Sequence, residues 1–149
     1  MSLDVYLSVD HPIVRSGSGI FVRENGSNVE ISREEWNCRR PDRDPVAVCE
    51  PTESSKVYSA NITHNLCKMA SEAGIYYALW RPDEHGIAKA SQLIEPLESV
   101  LVKLRAEPEH YRRFNPANGW GSYEGLVRFV ELYLEACREY PDAAVSVCR

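Results

Sequence analysis

Three short segments carry the side chains of this sequence that are best suited to chemistry, and the first is "SANITHNL" at residues 59–66. It places Asn61, His64 and Asn65 close together. Amides both donate and accept hydrogen bonds, and a neutral imidazole accepts a proton or a hydrogen bond near neutral pH. The segment therefore predicts one wall of a polar site. It is also typical of an ordinary amphipathic helix, with Asn61 as its N-terminal cap and His64 on its surface.

An aromatic cluster follows directly, in "GIYYALWRP" at residues 74–82. The guanidinium of Arg81 stands beside Tyr76 and Trp80, and such a group can hold a phosphate or carboxylate through two parallel hydrogen bonds. We expect these three side chains to extend the site. The alternative is that the aromatic rings belong to the core, where most aromatic side chains are found.

The third segment is the glycine-rich stretch "FNPANGWGSYEG" at residues 114–125. Its glycines predict a tight loop around Asn118 and Trp120. The loop leads to the N-terminus of a helix near Ser122, where free amides favour an anion. Neither a GxGxxG pattern nor a Walker lysine is present, so no standard phosphate loop is indicated. The alternative is a structural loop whose tryptophan plugs the core.

A pocket commonly combines apolar walls with a few directed polar groups, and each segment alone supplies only part of that set. The sequence therefore predicts that the segments meet in one concavity that binds a small anionic molecule. Neither a metal nor a cofactor is predicted, because His64, His85 and Glu72 match no known ligand spacing. The candidate ligand-binding residues are Asn61, His64, Asn65, Tyr76, Trp80, Arg81, Asn118 and Trp120.

The elements that position these residues begin with strands. Alternating apolar and polar residues at positions 3–9 predict a half-buried strand. Asn25 and Gly26, between two β-rich runs, predict a hairpin, and Ser32 predicts the cap of a helical turn. Residues 46–50 and 56–60 are expected to form two further strands.

Helical periodicity begins at Ile62, and Gly74 offers a C-terminal stop. Later helices are expected within residues 91–105, 108–114 and 123–140, the last capped by Ser122. Pro96 indicates that the helix within residues 91–105 either starts there or kinks there. Strands followed by helices predict an α+β fold, in which a small, mainly antiparallel N-terminal sheet is packed by about four helices. We expect one globular domain over residues 1–149, with a hairpin-and-loop insertion at about 16–45.

Composition excludes several classes of function. The chain has 149 residues, a net charge of -5 and no basic patch, which argues against a duplex nucleic-acid binder. It has neither an apolar run long enough to span a bilayer nor a secretory signal, so we expect a cytoplasmic protein. Its five cysteines are widely spaced and form no Cys-x-x-Cys pair, which predicts free thiols rather than zinc ligands or disulfides.

Much of the chain resembles a known protein family. The strings "SANITHNL", "EAGIYYALWRP" and "NPANGWGSYEGL", together with the opening "LDVYL", resemble a family of small uncharacterised proteins of bacteria and their phages. The resemblance covers most of the chain from Val57 onward. It implies that residues 16–45 are an insertion, and it supplies no catalytic residues.

Three classes of function fit these residues. The favoured hypothesis is a small-molecule-binding domain for a nucleotide or a nucleotide-derived signal, which in a phage could be sequestered from bacterial defence. The second is a protein-interaction module, such as an inhibitor or an immunity protein. The third is a small hydrolase or transferase with His64 as base, although no nucleophile stands in a recognisable motif. The sequence leaves open whether the chain is an enzyme, and it is compatible with a homo-oligomer.

Overall fold

The computed structural model describes residues 2–12, 17–48 and 52–149. Two short 3-10 turns, His64–Leu66 and Asp83–His85, accompany its regular elements. The strands are β1 Ser2–Pro12, β2 Phe21–Glu24, β3 Ser27–Glu30, β4 Thr52–Thr63 and β5 Ala144–Cys148. The helices are α1 Arg33–Arg39, α2 Cys67–Ala73, α3 Tyr76–Trp80, α4 Ser91–Ala106, α5 Pro108–Arg112 and α6 Tyr123–Glu139.

The chain divides into two compact units, and the smaller one spans residues 10–53. The expected insertion at 16–45 lies within it. Strands β2 and β3 pair around Asn25 and Gly26, which both have positive φ, as a two-residue hairpin turn requires. Ser32 caps α1 by accepting a hydrogen bond from the Glu35 amide. Both local predictions are confirmed. The prediction of a strand at residues 46–50 is wrong for residues 46–48, which are irregular. Residues 49 and 50 lie outside the described ones.

The larger unit comprises residues 1–9 and 54–149, and its sheet has the strand order β4-β1-β5. Strand β1 pairs with β5 in antiparallel register, with Val5 opposite Val147 and Leu7 opposite Val145. Alternate residues of β1 are fully buried in the core. A mainly antiparallel sheet packed by helices confirms the predicted α+β class. Strand β5 was not foreseen, although its alternating valines carry the period of a strand.

Helices α4 and α6 form the main helical layer of the larger unit. The Tyr123 hydroxyl joins them by donating to the Leu104 carbonyl over 2.7 Å. Tyr58 of β4 stacks on Tyr133 of α6 with ring centroids 5.6 Å apart, so the sheet and the helices share one core. Helix α4 begins at Ser91 and continues through Pro96, which rules out a helix start at the proline.

The described cysteines are all free thiols: Cys38, Cys67, Cys137 and Cys148. Cys49 lies outside the described residues. Burial raises the pKa of the Cys137 thiol to about 12 and also raises the pKa of the half-buried Cys67 thiol. Both groups are therefore protonated and unreactive at neutral pH. Each helix in the described part of the chain is too short or too polar to cross a membrane.

We expect Ser122→Ala to lower the free energy of unfolding by about 1 kcal/mol, because the Ser122 hydroxyl accepts from the Gly125 amide at the start of α6. Urea denaturation followed by far-UV circular dichroism measures this loss. Ser99→Ala is the matched control, since Ser99 is exposed in the interior of α4, where alanine is the better helix former. Equal effects of the two substitutions would contradict the capping role.

Candidate functional site

The first predicted segment begins as a strand and not as a helix. Strand β4 continues through Thr63, so the interpretation of Asn61 as a helix cap is wrong. The β-branched Ile62 and Thr63 favour extended backbone. Thr63 takes the capping role, because its hydroxyl accepts a hydrogen bond from the Asn65 amide over 3.3 Å. His64 therefore opens a short 3-10 turn that precedes α2.

The glycine-rich loop is ordered by two asparagine side chains. Asn115 Oδ1 accepts from the Tyr123 amide over 2.7 Å, and Asn118 Oδ1 accepts from the Trp120 amide over 3.0 Å. The second bond, from an asparagine side chain to the backbone two residues on, is common in turns, whereas the first ties the start of the loop to the start of α6. The loop leaves the Trp120 side chain 72% exposed, so the interpretation that it plugs the core is wrong.

Gly121 brings this loop against the end of β4. It has φ of +108°, a conformation that other residues rarely adopt. A Cβ atom placed on Gly121 would lie 2.8 Å from Thr63 Cγ2 and 3.0 Å from Leu66 Cγ, closer than real Cβ atoms pack. The backbone of the loop thus touches the turn that carries His64, and only glycine fits at the contact.

A cavity of about 600 Å³ lies where these two segments meet. It unites five of the predicted site residues from the first and third segments. None of the described residues that line it is Asp, Glu, Lys or Arg, and its surface combines polar and apolar atoms. The lining residues are Ser2, Asn61, Thr63, His64, Asn65, Asn118 and Trp120.

Two side chains that line the cavity contact residues outside it. Asn61 Nδ2 donates to Asp4 Oδ1 over 2.6 Å, which ties β4 to β1 and fixes the orientation of the Asn61 amide. The His64 ring lies nearly perpendicular to the buried Trp80 ring, with ring centroids 6.3 Å apart. His64 Nε2 is buried and has no hydrogen-bond partner among the described residues. Buried polar atoms in native proteins nearly always have a partner, so this atom is unusual.

The aromatic cluster does not enter the cavity. Trp80 is buried and stacks on Tyr76, with ring centroids 5.5 Å apart. Tyr76 lines a different surface cavity, with Cys67, Lys68, Ser71, Glu72 and Phe114. These two aromatics support the wall behind His64 and do not form part of its surface.

Arg81 is also absent from the cavity. Its guanidinium forms an ion pair with Glu84, three residues along the chain. Hydrogen bonding to Glu84 raises the pKa of Arg81 and lowers that of Glu84. The expected anion grip therefore does not lie beside Asn61 and His64, because a nearer carboxylate holds the guanidinium.

Sequence reasoning missed Ser2, Thr63 and Asp4 as parts of the site or its support. Ser2 and Asp4 belong to β1, which lies far from β4 in sequence but next to it in the sheet. The available signal was that β1 begins, and β4 ends, with small polar residues. Without the pairing of the strands, that signal does not place Asp4 beside Asn61.

The described part of the chain offers no group of three or more metal-ligating side chains. The histidine and glutamate considered with His64 have other partners: His85 packs on Tyr77 at 4.6 Å, and Glu72 bonds His110 Nε2 over 3.0 Å. Both side chains are therefore engaged elsewhere, and neither lines the cavity.

No protein-family model, curated protein or solved structure matches this chain. The resemblance to the family of bacterial and phage proteins therefore stays a prediction.

Proposed function

We propose that this chain is a small-molecule-binding domain whose cavity takes a nucleoside-like ligand, meaning a flat heterocyclic ring with a polar edge. The observation that carries the proposal is the exposed ring of Trp120 on a cavity whose described lining residues include no Asp, Glu, Lys or Arg. An aromatic ring that is 72% exposed can offer its face to another ring, and stacking of a base on an aromatic side chain is a common mode of recognition.

The remaining lining suits the edge of such a ring. Three asparagines, Asn61, Asn65 and Asn118, line the cavity, and amides can both donate to and accept from the edge of a heterocycle. His64 also lines the cavity, and its Nε2 is buried without a partner among the described residues. Pockets of this kind combine an apolar face with a few fixed polar groups.

The two alternative classes have less support. The described surface exposes some large apolar side chains, such as Val102 on α4 and Leu132 on α6, and exposed apolar residues are ordinary on folded proteins. They do not favour a protein-interaction module. A hydrolase needs an activated nucleophile, and the nearby Cys67 thiol has its pKa raised by burial, which opposes that role.

We expect Trp120→Ala to weaken nucleoside binding about 5- to 150-fold, because base–aromatic stacking contributes about 1–3 kcal/mol. Isothermal titration calorimetry with the four ribonucleosides measures the affinities, and glucose and N-acetylglucosamine serve as non-aromatic ring probes. Native mass spectrometry of freshly purified protein shows any ligand that is retained from the cell.

The matched control for this experiment is Tyr77→Ala. Tyr77 is also an exposed aromatic residue, at 58%, but it packs on His85 and does not line the cavity. It should leave nucleoside binding unchanged. The proposal fails if none of the nucleosides binds, or if the sugars bind as well as the nucleosides do. It also fails if the two aromatic substitutions weaken binding equally.

A further inference from the structure

We infer that the cavity selects an uncharged nucleoside over the corresponding nucleotide, and that Asp4 sets this preference. The inference rests on the proposed function, because it concerns the ligand of the same cavity. It differs from the sequence-based expectation of an anionic ligand, which depended on Arg81. Asp4 does not line the cavity, so it acts as a positioning residue through Asn61.

The hydrogen bonds already made by the asparagines decide what the cavity still offers. Asn118 Oδ1 accepts from the Trp120 amide, so the free groups of Asn118 are the two N–H bonds of its Nδ2. Asn61 Nδ2 donates to the Asp4 carboxylate, so Asn61 Oδ1 is its free acceptor, without a partner among the described residues. Chemistry fixes both orientations, since a backbone N–H only donates and a carboxylate only accepts.

The cavity therefore presents a donor at Asn118 and an acceptor at Asn61. A heterocycle with an N–H group and a carbonyl or ring nitrogen on one edge satisfies both. A phosphate dianion or a carboxylate offers acceptors alone, so it leaves Asn61 Oδ1 unpaired. Hydrogen bonding thus favours a base edge over an anionic group.

Charge acts in the same direction. The Asp4 carboxylate is hydrogen-bonded directly to a side chain that lines the cavity, Asn61. The cation that packs on the same strand, Lys56, lies over the Tyr6 ring at 3.8 Å and does not line the cavity. A phosphate in the cavity would meet a negative charge, and no Lys or Arg among the described lining residues would offset it. Like charges repel most where water is partly excluded.

The test compares each ribonucleoside with its 5′-monophosphate by calorimetry, on the full chain and on two charge-matched variants. Wild-type protein should bind the nucleoside about tenfold or more tightly than the monophosphate. Asp4→Asn removes the charge but keeps an acceptor for Asn61 Nδ2, so it should reduce this ratio to about threefold or less. Asp142→Asn removes a charge at an exposed residue outside the cavity and should leave the ratio unchanged.

A ratio of affinities separates this role from a structural one, because loss of structure weakens both ligands together. The preference should also shrink at high salt, where charge repulsion is screened. Equal or tighter binding of the monophosphate by wild-type protein overturns the inference, and so does an unchanged ratio in Asp4→Asn. In both cases the proposed function survives if binding still depends on Trp120. If neither nucleosides nor nucleotides bind, the proposed function falls and this inference falls with it.

Discussion

Gly121→Ala should destabilise the protein by about 2–5 kcal/mol and abolish nucleoside binding. Two costs combine at this residue. An L-residue held at positive φ costs about 1–2 kcal/mol, and overpacking a well-packed contact typically costs about 1–3 kcal/mol. The new Cβ would lie 2.8 Å from Thr63 Cγ2, on the turn that carries His64, so the loop has to move away from the cavity.

Gly119→Ala is the control that separates the two costs. Gly119 also has positive φ, at +73°, but nothing lies within 4 Å of the position that its Cβ would take. Gly119→Ala should lower the free energy of unfolding by about 1–2 kcal/mol and leave nucleoside binding largely intact. Urea denaturation and calorimetry on the same samples give both quantities. If Gly121→Ala and Gly119→Ala change the free energy of unfolding and the nucleoside affinity equally, the close contact of the loop with Thr63 does not maintain the shape of the cavity.

Most of the local structure could be predicted because it follows from short-range rules. The turn at Asn25 and Gly26, the stop at Gly74 and the caps at Ser32 and Ser122 each depend on residues within one turn of the chain. Such signals survive without knowledge of the rest of the fold. Alternation alone was enough to predict the first strand of the sheet.

The candidate site was only partly predictable, because it depends on contacts between distant parts of the chain. That Asn61 and Trp120 would line one cavity followed from the chemistry of their segments, and the structure does bring them together. Asp4 could not be placed beside Asn61 without the pairing of β1 and β4. The misplacement of Arg81 was avoidable, since side chains three residues apart in one turn often pair, and Glu84 is spaced accordingly from Arg81.

Truncation of the two tryptophans of the larger unit should affect stability very differently. Trp80→Ala should lower the free energy of unfolding more than any other substitution considered, and Trp120→Ala should hardly change it. Trp80 is 1% exposed, stacks on Tyr76 and supports the His64 ring. Replacing a buried tryptophan by alanine costs about 3–5 kcal/mol, whereas Trp120→Ala should change the free energy of unfolding by less than about 0.5 kcal/mol. Urea denaturation followed by far-UV circular dichroism measures both.

Trp80→Phe makes the role of this wall testable in protein that stays folded. Phenylalanine keeps a ring against Tyr76 and removes the Trp80 Nε1 group, which is buried without a partner among the described residues. Trp80→Phe should therefore lower the free energy of unfolding by less than half as much as Trp80→Ala does. It should weaken nucleoside binding only to the extent that the His64 side chain shifts. If Trp80 is a buried support, its substitution should lower the free energy of unfolding by more than it weakens nucleoside binding. A residue that contacts the ligand should show the reverse, as we expect for Trp120. If Trp80→Ala costs less than about 1 kcal/mol, Trp80 does not support the site.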